Sequence, residues 1–152
     1  AYRFYTYTAD SRIDDVSIPN DNEPLEVNIY IASFSGVDDA MIDRVYESCN
    51  EKYTRPLGDD LSVYPAQIIE VNLTGDIELL DLLKQDEIDT QIKANFNNSF
   101  FIGQDFMKLD FYRKCGVAGT YDVKSAFTDV LANDKQIIKI VSINFNYTQA
   151  IL

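Results

Sequence analysis

Carboxylates are the commonest ionisable side chains in this sequence, with 25 Asp and Glu residues compared with 13 Lys and Arg residues. Three adjacent pairs are prominent, at Asp14-Asp15, Asp38-Asp39 and Asp59-Asp60. Two carboxyl groups perform acid–base chemistry when they converge on one substrate. Adjacent side chains point about 100° apart in a helix and to opposite faces in a strand. We therefore interpret these pairs as helix-start and turn residues rather than catalytic dyads.

Histidine is absent from the sequence, and this excludes much of enzyme chemistry. No Ser-His-Asp triad, Cys-His dyad or His-ligated metal site can be built from the chain alone. Two cysteines, Cys49 and Cys115, are too few for a disulfide framework, and we expect both to be buried free thiols. The residue types therefore favour a protein without a catalytic site and without a cofactor.

The most enzyme-like spacing is Asp110 followed by Asp122-Val123-Lys124. An acid, a spacer of about a dozen residues and an acid-x-Lys triplet resemble the core of metal-dependent nucleases of the PD-(D/E)xK type. The resemblance implies that the two carboxylates hold a divalent ion and that Lys124 orients or activates a water. Leu109 stands where the family has proline, and the triplet falls where we predict a helix although the motif needs a strand. A divalent-metal nuclease is our second alternative.

The net charge of −12 is unevenly distributed along the chain. Residues 94–152 carry six basic and five acidic side chains, so the first 93 residues hold the whole negative surplus. Such a surface repels nucleic-acid phosphates and anionic membranes and attracts basic proteins. An acidic inhibitor or immunity-type protein that neutralises a basic toxin or nuclease is the first alternative. The expected acidic surface consists of Asp38, Asp39, Asp43, Glu47, Asp59, Asp60 and Asp81.

A calcium site is a further possibility that the N-terminal acids raise. Calcium prefers oxygen ligands from loops, and five such residues are close in sequence: Asp10, Asp14, Asp15, Asp21 and Glu23. The ordered D-x-[DN]-x-[DN]-G pattern is absent, so we predict no metal.

The hydrophobic pattern predicts one α+β domain over residues 1–152, with 46% hydrophobic residues and no linker. We predict strands at Tyr2–Thr8, Leu25–Phe34 and Val63–Leu73, with an amphipathic helix starting at Ser35 between the last two. A strand, a helix and a strand in this order indicate a parallel pair.

The second half of the chain alternates the same element types. A helix is predicted from Gly75 through Leu83, which continues or restarts near Asp86 and runs to about Ala94, and another helix from Thr120. Residues 105–114 fit a strand or a helix ended by Gly116, and we favour a strand. The last strand is Gln136–Tyr147. Together these elements predict a mixed or antiparallel sheet of about four or five strands, with about three helices mainly on one face.

Aromatic and amide side chains supply the candidate interface. Tyr is enriched where proteins meet, because it brings a large area at a small entropy cost. The expected contact residues lie in the first and last predicted strands: Tyr2, Phe4, Tyr5, Tyr7, Asn144, Asn146 and Tyr147. The expected function is a non-catalytic interaction or structural subunit of a larger assembly, such as a virion, tail or secretion-type machine. With no membrane span or signal peptide visible, we expect a soluble cytoplasmic or virion-associated protein.

Overall fold

The computed structural model describes residues 2–20, 25–51 and 59–152. Its elements in chain order are α1 Tyr2–Ala9, β1 Asp15–Ser17, β2 Glu26–Ala32, α2 Asp39–Asn50, β3 Asp60–Pro65, β4 Gln67–Leu79, a 3₁₀ turn Leu82–Lys84, α3 Gln85–Asn95, α4 Lys108–Cys115, β5 Thr120–Lys124 and β6 Gln136–Gln149.

The predicted α+β class is confirmed, with strands in two three-stranded sheets rather than in one sheet of four or five strands. The chain divides into two compact units. Unit 1 contains Ala1–Ile68, Phe101–Gly103 and Ala132–Ile137. Unit 2 contains Ile69–Phe100, Gln104–Leu131 and Ile138–Leu152.

Unit 1 is built on a sheet with the order β1-β2-β3. β2 and β3 run parallel on either side of α2 in the chain, as predicted, while β1 is antiparallel to β2. The predicted strand Val63–Leu73 is wrong in its extent, because the chain leaves this sheet after Pro65 and residues 67–73 belong to β4 of the other sheet. Apolar side chains from the sheet and α2 form the core of the unit: Ile13, Val16, Ile29, Ile31, Met41, Val45, Cys49 and Leu61.

The predicted strand Tyr2–Thr8 is wrong, because these residues form helix α1. Tyr2, Tyr5 and Ala9 follow a helical spacing and pack against the core of unit 1. Thr6 is fully buried, and its hydroxyl donates a 2.7 Å hydrogen bond to the Tyr2 carbonyl oxygen one turn earlier. The density of β-prone aromatics hid this three-to-four-residue repeat.

Unit 2 is built on a sheet with the order β5-β4-β6. β5 is antiparallel to β4. Ser142 on β6 bonds Asn72 on β4, and four residues later Asn146 bonds Asp76, so these two strands run parallel. Buried aromatic rings fill one side of the sheet: Phe96, Phe100, Phe106 and Phe111, with the half-buried Phe127 and Phe145 against them.

Three further predictions in this part of the chain are wrong. β4 continues through the predicted helix start at Gly75, because Ile77 and Leu79 are buried alternately with outward acids. The region 105–114 contains helix α4 rather than a strand, and the Gly116 amide closes that helix on the Tyr112 and Arg113 carbonyls. The helix predicted from Thr120 is strand β5, since Val123 pairs with Ile77 across the sheet.

Candidate functional site

Strand β6 is the longest strand of the protein and lies at the edge of its sheet. It spans 14 residues, and within the described part of the chain β4 is its only neighbouring strand. The strand has a single charged residue, Lys139, and contains neither glycine nor proline. An edge of this kind presents unpaired backbone groups to any other extended chain.

The outer edge of β6 is covered near its start, where the Gly103 amide donates to the Gln136 carbonyl oxygen at 2.8 Å and Asn98 contacts Ile140. The Asn98 side chain donates to the Ile140 carbonyl oxygen at 3.0 Å and accepts from the Ile140 amide at 2.7 Å. Both hydrogen-bonding groups of Ile140 are thus satisfied by a side chain that mimics a neighbouring strand. The closure leaves the part of β6 after Ile140 as the candidate pairing segment.

The backbone direction of that segment follows from its contact with β4. The Ala150 amide donates to the Leu79 carbonyl oxygen at 2.9 Å, so even-numbered residues here turn their backbone groups toward β4. Successive residues of a strand alternate sides, and Ile143, Phe145 and Tyr147 therefore direct their amides and carbonyls to the open edge. Up to Ile140 the buried residues are even-numbered, whereas odd-numbered residues are the less exposed ones from Ile143 to Tyr147. This change in the alternation indicates a bulge near Val141.

Asn144 and Asn146 lie on the polar face of the unit 2 sheet, as the sequence predicts, and both are exposed. The Asn146 amide donates to Asp76 at 3.3 Å, and Asp76 in turn pairs across the sheet with Lys124. We use the name polar face for the outward side chains of the three strands: Glu70, Asn72, Thr74, Asp76, Glu78, Asp122, Lys124, Ser142, Asn144, Asn146 and Thr148.

Tyr147 lies on the opposite side of β6, where its phenol is half-buried. Its hydroxyl donates a 2.6 Å hydrogen bond to Asp89 on α3. Burial and this carboxylate raise the pKa of Tyr147. Burial opposes ionisation of Asp89, yet hydrogen bonds from Lys93 and Tyr147 hold the pKa of Asp89 below its usual value. The contact fastens β6 to α3 and leaves the backbone of Tyr147 at the edge.

The N-terminal aromatics occupy two sides of α1 instead of two faces of a strand. Tyr2 donates to Asp59 at 2.7 Å, and Tyr5 packs on the core of unit 1. Phe4 and Tyr7 are exposed, with 65% and 37% of their surface open to solvent. Only the latter two offer an aromatic surface to a partner.

The expected acidic residues separate into two groups. Asp39, Asp43 and Glu47 follow one another at four-residue steps on α2 and are all exposed, so they form an acidic stripe along this helix. The others have different roles. Asp38 caps α2 through the Met41 amide, Asp59 accepts from Tyr2, Asp60 begins β3, and Asp81 caps the 3₁₀ turn.

Three of the five N-terminal acids considered for calcium, Asp10, Asp14 and Asp15, accept hydrogen bonds from groups of the protein. Asp10 is buried and receives ion pairs from Arg12 at 2.8 Å and Arg44 at 2.7 Å. Hydrogen bonds from Arg12 hold the pKa of Asp10 far below its usual range. Asp14 and Asp15 accept the backbone amides of Phe34 and Ile102. Asp21 and Glu23 lie outside the described residues.

The three residues of the nuclease-like spacing lie on two elements. Asp122 and Lys124 are on one side of β5, where their charged groups approach to 3.9 Å, as a strand-borne acid-x-Lys triplet requires. Asp110 is in the first turn of helix α4 and contacts Arg113 at 3.8 Å. Over residues 2–20, 25–51 and 59–152, no three acidic or cysteine side chains are grouped closely enough to hold a metal ion.

One shallow depression of about 430 Å³ occurs beside α4. Its walls are Met107, Lys108, Leu109, Tyr112 and Asp129. Asp129 accepts the Lys108 amide at 2.7 Å and so caps the start of α4. The acid in this depression therefore has a structural role.

Both thiols are buried as predicted, and burial raises the pKa of Cys115 to about 12.

Sequence reasoning missed the exposed aliphatic side chains beside the end of β6. Gln149 bonds the backbone of Leu79, Leu80 and Leu82, which brings the C-terminal residues next to the turn after β4. We use the name aliphatic patch for the exposed aliphatic side chains of these two segments: Leu80, Leu82, Leu83, Ile151 and Leu152. The signal in the sequence was a run of leucines that matches no single helical face.

Comparison with known proteins leaves these features without a family context. No protein-family model matches the chain, and no curated protein matches it. Among the described residues, no helix has both the length and the apolar character that crossing a membrane requires.

Proposed function

We propose that this protein is a non-catalytic subunit of a larger assembly and that it joins another protein chain through the open edge of β6. The observation that carries the proposal is the open part of this edge strand after Ile140, Val141–Gln149, which has nine residues and no charge. Proteins that remain alone usually protect such edges with charges, prolines, bulges or covering segments. An added strand gains main-chain hydrogen bonds along the edge and side-chain contacts on both faces.

The surroundings of the edge support the same function. The aliphatic patch lies beside the end of β6, and exposed apolar groups are typical of surfaces that meet another protein. The polar face offers amides at Asn144 and Asn146, which suit the rim of an interface. An assembly of the virion, tail or secretion type uses such subunits, and a cytoplasmic or virion-associated location accords with it.

A strand-binding experiment tests the proposal without a known partner. The probe is a fluorescent, lysine-flanked peptide with the sequence of residues 141–149, and anisotropy reports its binding. We expect saturable binding that Asn144→Lys weakens several-fold, because lysine on an edge strand opposes strand addition. The matched control is Asn72→Lys, which places the same charge on the same face but on the central strand β4. Absence of binding, or equal weakening by both variants, would refute the proposal.

The acidic stripe on α2 favours a second candidate function, binding of a basic protein. Like charges four residues apart on a helix cost stability, so a stripe of three carboxylates gains from a cationic partner. The test uses poly-lysine as the probe. We expect Asp39→Asn, Asp43→Asn and Glu47→Gln together to weaken its binding more than an equal charge change elsewhere, at Glu70→Gln, Asp86→Asn and Glu87→Gln. Equal losses of poly-lysine binding in the two triple variants would mean that only net charge matters, and would exclude a dedicated site on α2.

A further inference from the structure

The residues along the open edge of β6 also indicate which chain pairs with it. Each chain has a net charge of −12, so two copies repel over most of their surfaces. The segment from Val141 to Gln149 lies on an open strand edge and escapes this repulsion, because its nine residues are all uncharged. Two copies can meet along this segment without direct contact between like charges.

The segment is also complementary to itself in the antiparallel direction. When Phe145 faces its counterpart on a two-fold axis, Ile143 lies opposite Tyr147 and Asn144 lies opposite Asn146. The first is a β-branched residue against an aromatic, and the second is an amide against an amide, and both pairings stabilise sheets. A two-fold interface requires this kind of self-complementarity.

The backbone supports the same register. Ile143, Phe145 and Tyr147 direct their amides and carbonyls outward, as derived from the Ala150–Leu79 hydrogen bond. Antiparallel pairing about Phe145 matches Ile143 with Tyr147, and Phe145 with its own counterpart, and forms about six hydrogen bonds. Asn98 closes the edge at Ile140, which limits pairing to the later part of the strand.

We infer that the occupant of the edge is a second copy of this chain, joined by antiparallel β6–β6 pairing centred on Phe145 into a continuous six-stranded sheet. The inference rests on the proposed function, since it needs an edge that accepts a strand. It adds the partner, the direction and the register.

Salt dependence separates a second copy from a basic partner. Added salt screens the repulsion between two chains of −12 and strengthens their association, whereas it weakens attraction between opposite charges. Light scattering at low and high salt should show an apparent mass that rises with salt from 17.3 kDa toward twice that value. A monomer at every salt concentration contradicts the inference. If the edge still binds the peptide, the edge accepts a strand and the proposed function survives, although the whole chain does not pair with itself.

Cysteine trapping tests the register. Opposite residues in an antiparallel pair lie within disulfide reach, while diagonal neighbours about 7–8 Å apart do not. Mixing Asn144→Cys with Asn146→Cys should therefore give a disulfide-linked dimer, and either variant alone should remain largely unlinked. Asn72→Cys on β4 is the control and should not cross-link in any mixture. Equal cross-linking in the mixed sample and in either variant alone would overturn the register. So would the absence of cross-linking in a mixed sample that has the mass of a dimer.

Discussion

Replacement of Phe111 by alanine tests the account of how unit 2 supports β6. The Phe111 side chain is fully buried on α4. Its ring stacks on Phe127 with centroids 4.7 Å apart and contacts Phe96 at 5.7 Å and Phe145 at 6.1 Å. Phe145 belongs to β6, so Phe111 is part of the layer on which the inward side of the edge strand packs.

The expected loss follows from burial. Truncation of a buried phenylalanine to alanine costs about 3–5 kcal/mol, which combines the transfer term and the cavity left behind. This is a large part of the roughly 5–15 kcal/mol by which a domain is stable. At about 2–4 °C for each kcal/mol, Phe111→Ala should lower the melting temperature by about 6–20 °C.

Urea unfolding followed by circular dichroism measures the effect. The control is Leu109→Ala on the same helix, where the leucine is 60% exposed and the change should stay within about 0.5 kcal/mol. A loss below about 1 kcal/mol at Phe111, or similar losses at both positions, would refute the aromatic core of unit 2.

Three further outcomes are expected. Asp10 has a folded pKa far below its usual value, so its ionised carboxylate stabilises the fold fully above about pH 4 and loses this effect as the pH falls below that. In acid-unfolding curves of Asp10→Asn, this contribution to the pH dependence of stability should be missing. Tyr147→Phe removes the hydrogen bond to Asp89 and should cost about 1 kcal/mol in urea unfolding, with an unchanged value excluding this contact. Gly119→Ala should lower the melting temperature measurably, because φ is 97° and the new Cβ would lie 2.9 Å from Ile88 Cδ1; a neutral change would contradict this backbone.

Strong local patterns made part of the fold predictable. The β2–α2–β3 order was readable because α2 repeats its apolar residues at helical steps and its flanking strands alternate. The polar positions Asn144 and Asn146 on β6 were also correct, since the alternation there extends over many residues. Such patterns reflect burial of one face, which tertiary structure preserves.

The incorrect elements fail for identifiable physical reasons. Thr120–Lys124 is a strand because β4 provides a partner, and no local pattern of five residues reports that contact. The run from Leu79 through Leu83 was predicted as part of a helix, but Leu79 ends a strand and Leu83 is exposed. Long-range pairing decides between helix and strand in short apolar runs, so sequence alone could not.

The candidate edge was only partly visible in the sequence. The length and low charge of β6 could be read directly, but its position at the edge depends on which strands flank it. The closure by Asn98 joins residues 42 apart in sequence, and no local spacing predicts it. The hydrogen bond from Tyr147 to Asp89 likewise depends on tertiary structure and could not be read from the sequence. Because this bond engages the phenol, the backbone of Tyr147 rather than its side chain is left to contact a partner.

Site-resolved amide hydrogen exchange tests the central claim most directly. In dilute protein at low salt, the edge-facing amides of Ile143, Phe145 and Tyr147 should exchange much faster than those of Asn144 and Asn146, which face β4. At high concentration and high salt, the three fast amides should become protected while the other two change little. Fast exchange at these three positions in every oligomer or complex that the protein forms would contradict an assembly built on the β6 edge.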